Sequence, residues 1–342
     1  MADNNIVDVT MIGAGPAGLF GCFWAGQRKM TARIIESLPE VGGQLTTLYP
    51  EKFIYDVGAI PKMLAKDMVK ACADQGLQFG AEVCLEEEAR ELIKVDDKVW
   101  NLKTTKGDRL TRTVVITAGV GAMAPRKLGD PAVERFEGKG LYYFAKNFEV
   151  FRGKNLLIVG GGDSAVDWAN SLSGIAKTVT LAHRRDQFRA QPGSVEEMDK
   201  HGVRVLLFHE LRTVRGGEFP EEAVVFQNKT NEETTLPCEA LILALGFKSD
   251  LGAIKEWGLA LEGNRKILVN TQMQTNLPGI YAAGDVSTFP GKIDLIATGF
   301  GEVAVAVNDA KVYVDPTSRA FPGHSSEMGP PPGLQEKAKV AA

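Results

Sequence analysis

Twice in this 342-residue chain an apolar run leads straight into closely spaced glycines and then into a helix-compatible stretch. No other feature restricts the fold as much. The first set is Gly13-Ala14-Gly15-Pro16-Ala17-Gly18, between the strand-like run Ile6 to Ile12 and a helical stretch from Leu19 to Gly26. Strand, glycine turn and helix in that order are what a dinucleotide-binding βαβ unit requires. Gly13 permits the tight turn. At Gly15 a Cβ would collide with a pyrophosphate, and Gly18 lets helix and strand pack closely. The helix N-terminus offers phosphates its unpaired N–H groups and the positive end of its dipole. The next strand, Ala32 to Ile35, ends at Glu36, where a carboxylate can accept both ribose hydroxyls.

The second set, Gly160-Gly161-Gly162-Asp163-Ser164-Ala165, follows the strand-like run Lys154 to Val159 and opens a helix reaching Leu172. Gly160, Gly162 and Ser164 are its candidate phosphate contacts. After the following strand, Thr178 to Ala182, no acid stands at the strand end; the residues are His183-Arg184-Arg185, with Arg189 close behind. A carboxylate there would repel a 2′-phosphate, whereas guanidiniums hold one through charge-assisted, often bidentate bonds. The second site is expected to take NADPH in preference to NADH. The competing reading is a solvated basic turn, and Asp186 beside the arginines weakens the preference.

The length suggests two or three domains. A formal net charge of -4 argues against a nucleic-acid binder. No apolar run approaches the roughly 18 residues of a membrane span, and Met1 to Asn5 carries no secretory signal. Cys22, Cys72, Cys84 and Cys238 include no Cys-x-x-Cys pair, so reduced thiols in a cytoplasmic protein are expected. Helical spacing runs from Pro61 to Ala73. Strands are expected at Gln78-Phe79, Val83 to Leu85, Glu91 to Val95, Val99 to Thr104 and Thr111 to Thr117. The glycine-containing segments Ala118 to Gly121 and Leu245 to Phe247 read as crossings. Between them Val203 to Phe208, Val224 to Gln227 and Ala240 to Leu243 are expected to complete the second αβ unit. Residues 1–117 and 249–328 would then form one discontinuous domain and 118–248 an inserted one, with a mobile tail over 329–342. Gly279 to Asp285 reads as a buried strand ending in a turn, and Ile293 to Val314 as a long helix. Asp285 could bond a ribityl hydroxyl or cap local N–H groups. Tyr49 could stack on an aromatic ring or be a half-buried loop tyrosine.

Two dinucleotide folds, one ending in a carboxylate and one in arginines, suggest two dinucleotides, FAD in the first and NADPH in the second. With Gly42-Gly43-Gln44 and Gly279 to Asp285, these motifs resemble the thioredoxin reductase-like flavoproteins. That group carries a Cys-x-x-Cys before its second fingerprint. Here Pro131 to Val150 contains no cysteine, so no dithiol can relay electrons and thioredoxin reduction is excluded.

Tyr49-Pro50-Glu51-Lys52, Tyr55-Asp56, Pro125-Arg126-Lys127-Leu128 and Gly323-His324-Ser325-Ser326 carry a narrower resemblance. They are similar to the bacterial thioredoxin reductase-like ferredoxin–NADP(+) reductases, over nearly the whole of residues 6 to 326. The resemblance implies an α/β fold of two Rossmann-like, three-layer domains of the thioredoxin reductase type, one inserted in the other, plus a C-terminal extension. It implies FAD contacts at Ala17, Glu36, Gln44, Tyr49, Ala89, Met123, Asp285 and Ser326, with Thr298 near the flavin edge. Met123 stands where the family usually has phenylalanine and Ala89 where it has valine. Tyr49 would cover one face of the flavin ring and His324 the other, His324 coming from the partner subunit of a homodimer. The NADPH contacts would be Gly160, Gly162, Ser164, Arg184, Arg185 and Arg189. The implied activity passes electrons from NADPH to a ferredoxin or flavodoxin, hydride in and single electrons out, with the domains rotating about the Ala118 and Gly246 crossings. Reduction of another acceptor such as quinone, and a flavin-binding redox sensor, are the alternatives.

Overall fold

In the computed structural model, which describes residues 3–327, the largely apolar run Ile6 to Ile12 lies in β1 (Asp3–Ile12), buried from Val9 to Ile12. It leads into α1 (Pro16–Gln27), with proline at the first helical position. β2 (Ala32–Ile35), α2 (Ala65–Gly76) and β3 (Glu82–Cys84) follow. A meander of β4 (Ala89–Asp96), β5 (Val99–Thr104) and β6 (Gly107–Ile116) comes next. These strands order as β3-β2-β1-β6-β5-β4, parallel from β3 to β6 and antiparallel beyond. Alternate residues feed two cores: Val9, Met11 and Val115 on one face, Ile12, Val114 and Ile116 on the other.

No strand forms at Gln78-Phe79. These residues lie in the turn that ends α2. The Phe79 ring packs against Phe23 at a centroid distance of 5.8 Å, so its hydrophobicity secures a helix corner and not a sheet position.

A second compact unit spans Met123–Lys248. It contains β7 (Leu141–Tyr142), β8 (Asn155–Gly160), α3 (Asp163–Leu172), β9 (Thr178–His183), α4 (Pro192–Lys200) and β10 (Arg204–Leu207). Next come β11 (His209–Gly216), β12 (Pro220–Gln227), β13 (Glu233–Pro237) and β14 (Ala240–Ala244). A five-stranded parallel sheet has the order β7-β14-β8-β9-β10. Val224 to Gln227 does not join it. That run lies in β12, the centre of a separate antiparallel sheet β11-β12-β13. The connections, residues 217–219 and 228–232, are hairpin loops, too short for the crossover of a dozen or more residues that parallel pairing needs.

The remaining part of the first unit begins at Ser249. β15 (Ile280–Ala282) pairs in parallel with β6 and completes a seven-stranded sheet. α5 (Ile296–Val314) packs against α1, with the Phe20 and Phe300 rings 5.1 Å apart. α5 starts at Ile296 and not at Ile293, because the Thr298 hydroxyl accepts the Leu295 N–H at 3.3 Å and caps the first turn. Among the described residues no helix is long and apolar enough to cross a membrane. The expected tail, 329–342, lies outside them.

Candidate functional site

In the first unit, the starts of α1 and α5 and the turn after β15 share one spot. A Cβ placed on Gly284 would stand 3.5 Å from the Ala17 methyl, and one on Gly299 would stand 3.6 Å from the same carbon. The loop after β2 closes on the same place. Gly42 N–H donates to the Ala14 carbonyl at 2.8 Å, and Gln44 Nε2 lies 3.4 Å from Asp285 Oδ2. A Cβ on Gly15 would meet nothing within 4 Å, whereas one on Gly18 would collide with the Gly13 carbonyl oxygen. Gly18 is thus fixed by packing and Gly15 by a gap. That gap sits over the uncapped amides of α1 and is the cradle a pyrophosphate would fill.

Glu36 is buried at the end of β2. Its carboxylate accepts Ala14 N–H at 2.8 Å and Leu38 N–H at 3.0 Å, so it holds the glycine loop while Oε2 keeps acceptor capacity for a ribose hydroxyl. The Glu36 carbonyl accepts Glu87 N–H at 2.9 Å, which brings the segment leading to buried Ala89 alongside. Burial, reinforced by the Asp285 and Asp56 carboxylates, pushes the Tyr49 phenol up to about 12. Tyr49 is therefore a neutral ring at any physiological pH. Burial also raises the Asp285 carboxyl, with Asp294 adding to the effect and Lys292 opposing it. Thr298 is half-buried in the first turn of α5.

In the second unit, Gly162 is the N-cap of α3 and makes no side-chain cap bond, which leaves first-turn amides available to an anion. Ser164 is exposed in that turn. A Cβ on Gly161 would run into the His183 imidazole. That ring stacks on Phe188 with centroids 4.8 Å apart. His183 therefore forms a floor under the glycine loop, a role that no sequence signal beyond the tight Gly161 position marks. Arg189 N–H donates to the Gly161 carbonyl at 2.8 Å, and a Cβ on Gly162 would lie 3.9 Å from Arg189 Nη2. Arg184, Arg185 and Arg189 are all exposed, and among the described residues none is paired with a carboxylate. Asn228, from the β12–β13 hairpin, donates to the Arg184 carbonyl at 2.9 Å, a contact that no local sequence signal marks.

His324 and Ser326 are exposed. His324 packs edge-on against Phe321 at 5.4 Å, and its N–H bonds Glu327 at 3.3 Å. Among the described residues nothing joins either of them to Tyr49 or Asp285. The Met123 side chain lies outside the described residues. The four cysteines are buried and free. Burial pushes the Cys72 thiol up to about 11 and the other three up to about 12, so none is a thiolate at neutral pH.

Residues 7–310 match the family model described as pyridine nucleotide-disulphide oxidoreductase. A protein of Shouchella clausii named ferredoxin–NADP reductase 2 is 51% identical over 95% of this chain and 98% of its own. The ferredoxin–NADP reductase of Thermus thermophilus is 48% identical over 95% of this chain and 98% of its own. Among solved structures, Lactococcus lactis thioredoxin reductase superposes with a TM-score of 0.76 at 25% identity, covering 90% of this chain and 99% of that one. The chain belongs to the pyridine nucleotide-disulphide oxidoreductase family, alongside its ferredoxin–NADP reductases.

Proposed function

We propose that this chain is a ferredoxin–NADP(+) reductase, passing electrons between NADPH and a ferredoxin or flavodoxin through FAD. The observation that carries the reading is the contrast between the two glycine loops. One is held by a buried carboxylate at Glu36, the other is flanked by three exposed arginines, unpaired with any carboxylate among the described residues, and all four thiols are buried. FAD, when bound, accepts a hydride and releases electrons singly.

The protein supplies binding and electrostatics. Gly15 and Ala17 hold the FAD phosphates on a loop that Gly13 and Gly18 let turn and pack tightly, Glu36 holds its ribose, and Asp285 with Gln44 the ribityl chain. Ala89 adds a further FAD contact, and Met123 is a FAD contact by the family resemblance alone. Tyr49 offers one neutral face to the flavin ring, and the N-terminus of α5 at Thr298 favours negative charge there. Gly160, Gly162 and Ser164 hold the pyrophosphate of NADPH, and Arg184, Arg185 and Arg189 its 2′-phosphate. Residues 1–117 and 249–328 thus take FAD, and 118–248 take NADPH. We place the enzyme in the cytoplasm as a homodimer, with His324 and Ser326 reaching the partner's flavin. The exposure of both residues supports that reading.

The decisive experiment is stopped-flow mixing of the purified protein with NADPH and then with ferredoxin. The yellow colour is expected to bleach and then return. Bleaching without ferredoxin reduction favours a redox sensor, and recolouring by quinone alone favours a quinone reductase. A chain cut before Phe321 is expected to bleach with altered kinetics; an unchanged trace would remove the tail from the site.

A further inference from the structure

Two opposite charges, Lys292 and Glu302, lie buried beside the Gly284–Asp285 turn, their side chains 4% and 8% exposed. Glu302 projects from α5, a helix otherwise rich in alanine and valine. Its Oε2 accepts the Gly284 N–H at 2.7 Å and lies 3.3 Å from the Ser287 hydroxyl. Its Oε1 pairs with the Lys292 ammonium. Stability alone does not account for such a pair, because well-packed apolar residues of similar volume usually serve as well or better. A clamped carboxylate does something an apolar side chain cannot, which is to hold a backbone N–H at a fixed place. The N–H held here belongs to Gly284, whose φ is +79°. The next residue is Asp285, which contacts Gln44.

We propose that Glu302, clamped by Lys292, is a positioning residue for the flavin: it fixes the Gly284–Asp285 turn and thereby sets how tightly the chain holds FAD. The inference rests on the reading of the first unit as the FAD site.

Two charge-free double variants isolate the acceptor. Glu302→Gln with Lys292→Met keeps an oxygen for the Gly284 N–H, and Glu302→Leu with Lys292→Met removes it while preserving packing. FAD affinity is measured on the deflavinated full chain by quenching of flavin fluorescence. The leucine variant is expected to bind FAD about tenfold to a hundredfold more weakly, the consequence of leaving a buried N–H unpaired. The glutamine variant is expected to stay close to wild type. Val303→Ala, a cavity in the same buried stretch of α5, is expected to lower Tm without the affinity loss. Equal affinities for the glutamine and leucine variants, or an equal loss in Val303→Ala, would overturn the proposal. A wild-type chain that takes up no FAD would instead overturn the reading of the site.

Discussion

Gly15→Ala is expected to give a folded but colourless protein, and Gly18→Ala to give no folded protein. Gly15 has φ −71° and ψ −178°, a backbone that alanine adopts freely, and its Cβ would meet nothing within 4 Å. The apoprotein should therefore melt close to wild type. The added methyl occupies the space a pyrophosphate must enter to reach the amides of α1, so FAD retention should fall at least about a hundredfold. At Gly18 the methyl would strike the Gly13 carbonyl oxygen and lie 2.8 Å from Thr117 Oγ1. That hydroxyl already donates to the Gly13 carbonyl at 2.9 Å, and Thr117 follows β6, which pairs with β1 in the sheet centre. Neither group can withdraw without opening the sheet, so overpacking costs about 3 kcal/mol or more. Thermal melts of the apoproteins and the ratio of visible to ultraviolet absorbance separate the two outcomes. A yellow Gly15→Ala protein would remove the pyrophosphate from this loop.

The parts of the site legible in the sequence are those whose constraint is local. Glycines at Gly13, Gly15 and Gly18 are demanded by turn geometry and close approach within a few residues, and Glu36 lies at the strand end that the same pattern defines. Arginines where an acid is usual carry their chemistry in their identity. What stayed hidden depends on distant partners. Glu302 reads as one of several polar residues on an Ala- and Val-rich helix. Only the tertiary contacts with Gly284 and Lys292 show what it does. Asn228 reaches Arg184 across 44 positions of chain. Val224 to Gln227 is a strand in either reading. Its antiparallel pairing follows from loop lengths at both ends and not from its own residues. Phe79 shows the reverse, an aromatic residue whose strand propensity is overridden because its ring packs a helix corner.

Replacing Arg184 and Arg185 together by alanine is expected to lower kcat/KM for NADPH about a hundredfold and to leave NADH nearly unaffected. Charge-assisted bonds to a phosphate are each worth about tenfold or more, reduced at an exposed site by salt. Two together give roughly that factor. The change should be confined to binding, because among the described residues neither exposed side chain is committed to a carboxylate partner. The loop keeps its shape through backbone atoms. Asn228 bonds the Arg184 carbonyl at 2.9 Å and Arg189 N–H bonds the Gly161 carbonyl at 2.8 Å, and truncating the two side chains touches neither bond. Two further readouts separate phosphate recognition from general damage. The KM for NADPH of the wild type should rise with ionic strength more steeply than that of the variant, since screening acts on charges the variant lacks. Arg184→Lys with Arg185→Lys should fall between the two, because ammonium groups keep the charge and lose the planar fork. Equal losses for NADPH and NADH, or parallel salt dependences, would mean that the arginines steady the fold and read no 2′-phosphate.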